Sequence, residues 1–279
     1  MDALFSIGRR YHAGHGLPQD FAKAVQCYTR AAEHGHRVAR YNMGLLYFRG
    51  TGFSQDYTKA MEWLLLAAHQ EYPDAQHDIG FIFLHGVGVA KDFQKATQWF
   101  LKAARQRHAL SQFQVGLLFA RGEGVSEDLE EAFEWVFKAA KNGYAEAQYQ
   151  LGFMYEKGLG IPAADLPTLN SMAMEWYLRA AEKGYPQAQF RIGRLYCLGH
   201  GVEKRDYVVA MWWFLKAADQ GHVGAQYRIG VQYQYGLGVE RNEGSAKYWY
   251  RIAAEKGHIM ARTSLNKLEN KSLNTQTRA

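Results

Sequence analysis

The stretch GLLYFRGTGFSQDYTKAMEWLLLAA (Gly44–Ala68) decides the fold, because its parts return along the whole chain. Its closing Ala-Ala recurs at Ala31, Ala67, Ala103, Ala139, Ala180, Ala217 and Ala253, spaced by 36, 36, 36, 41, 37 and 36 residues. A fixed period of this size is the signature of stacked supersecondary units. Ahead of each pair stands the frame Gly-x-x-aromatic-x-x-Gly-x-Gly, as in GFMYEKGLG (Gly152–Gly160), and all seven copies keep the Gly-x-Gly.

Each unit reads as two helices. In the first, for example Ala145 to Lys157, Ala147, Leu151, Gly152 and Tyr155 fall on one helical face, which packs on the second helix. The Gly-x-Gly then stops the first helix, since glycine adopts the left-handed conformation at a helix end without steric cost. Asp20, Asp56, Asp92, Asp128 and Asp206 follow at the position of an N-cap for the second helix, which runs to Ala-Ala. The expected architecture is all-α: a right-handed α/α superhelix of seven helix-turn-helix repeats over 1–36, 37–72, 73–108, 109–144, 145–185, 186–222 and 223–258. A capping helix over 259–268 would close this single solenoid, and the polar run from Glu269 to Ala279 is expected to be disordered.

Two irregularities interrupt the period. An insertion between Gly160 and Trp176, with Pro162 and Pro167, is expected to lengthen the loop between the helices of repeat five. Glu71 and Arg107 stand where Gly35, Gly143, Gly184, Gly221 and Gly257 follow the other Ala-Ala pairs, so local rearrangement is expected there.

The composition, 48% hydrophobic and 14% aromatic in 279 residues, suffices for a continuous core. The net charge of +6 permits an acidic partner, but the basic residues are scattered in ones and twos rather than gathered as a nucleic-acid footprint, so nucleic acid is not the expected ligand. No run is apolar and long enough for a signal peptide or a membrane span, so the chain as written is expected in the cytoplasm, with a secreted or trimmed form as the alternative. Cys27 and Cys197 are too far apart in sequence for a small-domain disulfide framework and read as buried apolar residues.

Several motifs invite chemistry and do not carry it. The Gly-x-Gly turns follow helices instead of strands, unlike phosphate loops. His12, His15, His34 and His36 lack the carboxylate or cysteine companions of a metal site and read as exposed loop residues, so neither metal nor cofactor is expected. Ser264 and Lys267 form a Ser-x-x-Lys without the companion elements of penicillin-recognising enzymes. No catalytic constellation is visible. Trp63, Trp99, Trp135, Trp176, Trp213 and Trp249 occupy one repeat column, with Cys27 in its place in repeat one, and are expected to fill the space between the two helices; Trp212 lies outside it and reads as exposed.

The remaining candidates lie on the first helices. Positions three before and one, four and five after the central glycine would face a concave groove. The first of these columns is Phe5, Tyr41, His77, Phe113, Tyr149, Phe190 and Tyr227, an aromatic ladder. Arg49, Phe81, His85, Arg121, Phe153, Lys157 and Arg194 vary from copy to copy, a mix of aromatic and mainly basic groups suited to a protein or peptide bearing carboxylates.

The succession Gly-x-x-Tyr-x-x-Gly-x-Gly-Val, Asp-x-x-Lys-Ala-x-x-Trp, and Lys-Ala-Ala-x-x-Gly-x-x-x-Ala-Gln resembles the Sel-one-like repeat, a relative of the tetratricopeptide repeat, over residues 5 to about 265. The resemblance implies a non-catalytic adaptor that binds a protein partner in its groove. It also admits an immunity or effector protein clamping one toxin or host factor, and a weak hydrolase acting on β-lactam-like amides. The cysteine-rich branch linked to β-lactam binding closes each repeat with a disulfide, and this chain lacks those cysteines.

Overall fold

The structure, a computed structural model, describes residues 2–161 and 165–276, with side chains described as far as Asn270. Among the described residues there are fifteen α-helices and no strand. The first helices of the repeats are α1 (Asp2–Ala13), α3 (Arg37–Arg49), α5 (Pro73–His85), α7 (Ala109–Arg121), α9 (Ala145–Lys157), α11 (Pro186–Leu198) and α13 (Val223–Tyr235). The second helices are α2 (Phe21–Glu33), α4 (Tyr57–Ala68), α6 (Phe93–Arg105), α8 (Leu129–Lys141), α10 (Leu166–Glu182), α12 (Tyr207–Asp219) and α14 (Glu243–Glu255), followed by α15 (Ile259–Gln276). The fold is thus an all-α solenoid of helix pairs, grouped in two compact units, Met1–Asn142 and Gly143–Ala279.

The chain's own punctuation builds these pairs. Both glycines of all seven Gly-x-Gly turns have positive φ, and Asp20, Asp56, Asp92, Asp128 and Asp206 each accept a backbone N–H at the start of a second helix. Asp165 and Asn242 supply the same cap in repeats five and seven. Within a pair the helices meet at the central glycine. A Cβ on Gly80 would lie 2.7 Å from the Phe100 ring, and one on Gly152 would lie 2.7 Å from the Tyr177 ring, so the close approach requires glycine.

That approach corrects the expectation for the tryptophans. The side chains filling the space between paired helices are Tyr28, Leu64, Phe100, Val136, Tyr177, Phe214 and Tyr250, each one residue after the tryptophan column and no more than 2% exposed. One step along a helix turns a side chain by about 100°, so the preceding column points to the flank, where five of its tryptophans are half-buried and Trp176 alone is buried. Trp63 and Trp99 there pack against clusters that include the preceding repeat's second helix. Lys102, Lys138 and Arg179 cover the rings of Trp99, Trp135 and Trp176 at 4.0, 4.4 and 4.3 Å. Trp212 is 50% exposed, as expected. The cysteines are half-buried rather than fully buried.

The irregularities also resolve differently from the sequence reading. Pro162 lies outside the described residues, but the insertion mostly lengthens a helix: α10 has 17 residues against 13 in α8, with Pro167 in its first turn. Asp165 caps it, so the added residues gain hydrogen-bonded helix rather than loop. No rearrangement occurs at Glu71 and Arg107, which adopt the glycine-like conformation at φ 56° and 64° and keep the same backbone bonds to Ala68 and Ala104. A left-handed non-glycine residue is strained, so Arg107→Gly is expected to raise stability by about 0.5–1 kcal/mol in urea unfolding. A lower midpoint would contradict this.

The last helix continues to Gln276, where the sequence reading has disorder from Glu269. Leu265 and Leu268 pack with Ala253 and Ala254, and Arg251 Nη2 bonds Glu269 Oε1 at 3.1 Å. No glycine or proline follows before Gln276, so a helix nucleated by that packing propagates. Residues 277–279 lie outside the described residues.

Candidate functional site

The aromatic ladder interlocks successive repeats. Six of its rings lie on the ring that caps the next first helix: Phe5 on His36, Phe190 on His222 and Tyr227 on His258, all at 4.5 Å between centroids. Tyr41 meets Tyr72 at 5.1 Å, His77 meets His108 at 4.9 Å, and Tyr149 meets Tyr185 at 5.3 Å. Phe113 is 4% exposed, which corrects its assignment to an open surface. The cause is chain geometry: the capping residue begins the neighbouring helix directly beside this column. His36 is accordingly no solvated loop residue, since its Nδ1 accepts the Ala39 N–H at 3.1 Å. His222 and His258 cap in the same way, and burial holds both below the usual imidazole range.

Two cross-repeat bonds fix the polar members of the ladder. The Tyr41 hydroxyl donates to Asp78 Oδ2 at 2.9 Å, and His77 Nδ1 stands 2.9 Å from Ser111 Oγ, which also meets His108 Nδ1 at 2.9 Å. Burial, with His108 nearby, lowers His77 to about 4. Burial likewise raises Asp78 to about 6, against the opposing influence of the Tyr41 hydrogen bond and Arg49. These groups position the site and are not free acids or bases on its surface.

The varied positions behave otherwise. In the first unit, Arg49, Phe81, His85 and Arg121 are exposed. Phe81 packs on His85 at 4.2 Å, and Arg121 lies 3.9 Å from Glu123. Between α3 and α5 a cleft of about 300 Å³ is lined by Leu45, Phe48, Arg49, His77, Asp78 and Phe81, among others. The structure therefore brings three of the expected residues, Arg49, His77 and Phe81, to one apolar depression with a charged rim. In the second unit, Lys157 is exposed, whereas Phe153 and Arg194 are half-buried. Arg191 lies over Phe153 at 5.3 Å and pairs with Glu156 at 3.4 Å, and Glu156 also accepts the Tyr177 hydroxyl at 2.7 Å.

Asp78, Glu156 and Arg191 were not among the residues the pattern singled out, because no repeated column marks them. The buried glutamines, by contrast, form a repeated column. Gln76, Gln112, Gln189 and Gln226 each donate to the carbonyl of the last alanine of the preceding pair, satisfying a helix-end acceptor. Ser264 is half-buried on the last helix. Among the described residues no His, Cys, Asp and Glu group of metal-binding size is present, and no helix is long and apolar enough to cross a membrane.

The Sel1 repeat family model matches residues 2–36, 37–72, 73–108, 109–144, 145–185, 186–222 and 223–258. The protective antigen c5321 of uropathogenic Escherichia coli, which displays an SLR fold, superposes with a TM-score of 0.91 at 34% identity, over 97% of this chain and 56% of its own. A Sel1 repeat protein from Oxalobacter formigenes superposes with a TM-score of 0.78 at 34% identity, over 96% of this chain and 76% of its own. This chain thus spans little more than half the length of the E. coli antigen. Among curated protein sequences there is no match.

Proposed function

Because the chain belongs to the Sel1 repeat family, whose fold commonly serves protein interaction, we propose that it is a non-catalytic scaffold binding an acidic protein or peptide along its first helices. One observation carries the reading. Of the columns expected to face inward, one holds rings locked between repeats, and the varied side chains of the others include the exposed Arg49, Phe81, His85, Arg121 and Lys157, which are aromatic and basic. The buried columns keep one class of side chain, apolar or ring-bearing, from copy to copy, whereas a binding surface takes the type its partner dictates. Aromatic and Arg anchors are the side chains that dominate protein interfaces. Lys157 forms no ion pair among the described residues, which leaves its charge for a carboxylate, while Arg49 forms none either but already acts on the Asp78 carboxyl across the cleft.

The test is affinity capture from the native cell extract with the wild-type chain and an Arg49→Glu, Arg121→Glu, Lys157→Glu variant. All three side chains are exposed, so both proteins should show the same helical circular dichroism. The expected result is a protein captured by the wild type and lost from the variant. The same proteins captured in equal yield would end the reading.

A further inference from the structure

A second basic site lies away from the first-helix face. A cavity of about 520 Å³ opens between α6 and α8, near their carboxyl ends, and four of its lining residues are Arg105, Arg107, Lys138 and Lys141. No acidic side chain lines it, and none of the four cations forms an ion pair among the described residues. Trp135 makes an apolar wall, with Lys138 Nζ over its ring at 4.4 Å. Asn142 braces the rim, donating to Gln112 Oε1 at 2.8 Å and to the Arg107 carbonyl at 3.4 Å.

Comparison among the repeats separates what is structural here from what is not. Lys138 belongs to a column that is basic in most copies and covers the tryptophan, so it is common framework. The other three depart from the frame. Arg105 and Lys141 share a column that reads Glu33, Glu182, Asp219 and Glu255 in four other copies and His69 in repeat two, so the charge is reversed from the acidic type in these two neighbouring copies. Arg107 stands where five copies have glycine and holds a strained φ of 64°. Cations at helix carboxyl ends favour the helix dipole, yet four copies do without one. Three independent departures converge on one cavity, and one of them is maintained against backbone strain.

We propose that this cavity binds a run of carboxylates, two or more Asp or Glu side chains close together on a protein partner. Four separated cations around a cavity of this volume suit an extended polyanion better than a single tetrahedral anion, and Arg offers carboxylates two parallel N–H donors. The inference rests on the scaffold reading only for the source of the carboxylates, because its residues and those of the first-helix face do not overlap.

The experiment is fluorescence anisotropy of a labelled hexaglutamate peptide with the whole chain at about 50 mM salt, where exposed charges are little screened. Arg105→Glu with Lys141→Glu installs the acidic residue type of four other copies, so the fold is retained, and affinity should fall about tenfold or more. Arg107→Gly should weaken binding while raising the thermal midpoint. Reversing the same number of charges elsewhere, with Lys204→Glu and Arg241→Glu, should leave affinity within about twofold of wild type. Equal weakening by both double variants would mean attraction to net charge and would overturn the site, as would displacement of the peptide by an equal concentration of inorganic phosphate. Hexaglutamate binding lost only in the cavity variants, with partner capture intact in the first-helix variant, would sustain this site and sink the first-helix reading instead.

Discussion

Phe100→Ala is expected to destabilise the chain by about 3–5 kcal/mol, the cost of emptying a fully buried aromatic site. Trp99→Ala should cost only about 1–2 kcal/mol. The neighbours in sequence differ because Phe100 is 0% exposed and lies against Gly80, so no adjacent side chain can refill the space without moving one helix of the pair. Trp99 is half-buried at the flank, with Lys102 over its outer surface, and its loss opens a groove to water rather than a cavity. In a stack stabilised by nearest neighbours both losses are felt locally before they are felt globally. Urea unfolding followed by circular dichroism checks the order. Equal costs, or a larger cost at Trp99, would return the tryptophan column to the centre of the repeat.

Asp78→Asn should stabilise the chain by up to about 3 kcal/mol near pH 7.5 and by almost nothing near pH 4. The Asp78 carboxyl titrates at about 6 in the folded chain against 3.8 ordinarily, so its ionised form costs stability at neutral pH and that cost disappears as the pH falls from 6 towards 3.8. His77 acts in the opposite sense. Its folded value is about 4 against an ordinary 6.5, so the unfolded chain takes up a proton first, and stability fully present above 6.5 is lost as the pH falls towards 4. Each shift is worth about 3 kcal/mol, and adjacent in sequence they nearly cancel. The groups facing the pair are Tyr41, Arg49, Asp74, His108 and Ser111. Wild type should therefore be nearly flat between pH 6.5 and 4 at this site, while the variant keeps only the histidine's acid loss. A stability difference that stays constant between pH 7.5 and pH 4 would show that Asp78 is not ionised against a penalty.

Much of this arrangement is legible in the sequence, because each repeat reports the same local physics seven times. The Gly-x-Gly turns, the Asp caps and the helix bounds follow from backbone preferences that act over a few residues. Direction around a helix was harder. The tryptophan column recurs as strictly as the core column beside it, and periodicity alone could not say which of two adjacent large residues faces the central glycine. The same ambiguity hides the ladder: Tyr41 and Phe190 read as inward-facing, but their rings are taken up by Tyr72 and His222, which lie thirty or so residues on and meet them only through stacking. Asp78 and the cavity of Arg105, Arg107 and Lys141 were illegible for the opposite reason, since each is a departure from the frame and acquires meaning only when packing brings departures together. Glu71 and Arg107 show the frame overruling local preference, because the bonds to Ala68 and Ala104 hold a conformation the side chains disfavour.

The most direct test of the scaffold account is hydroxyl-radical footprinting of the chain with and without the captured partner. The account predicts protection at the exposed first-helix side chains Phe81, His85 and Lys157, with the buried columns silent in both states. Protection confined to the outer faces of the second helices, at Trp212 and Tyr248, with Phe81 and Lys157 equally reactive in both states, would contradict it.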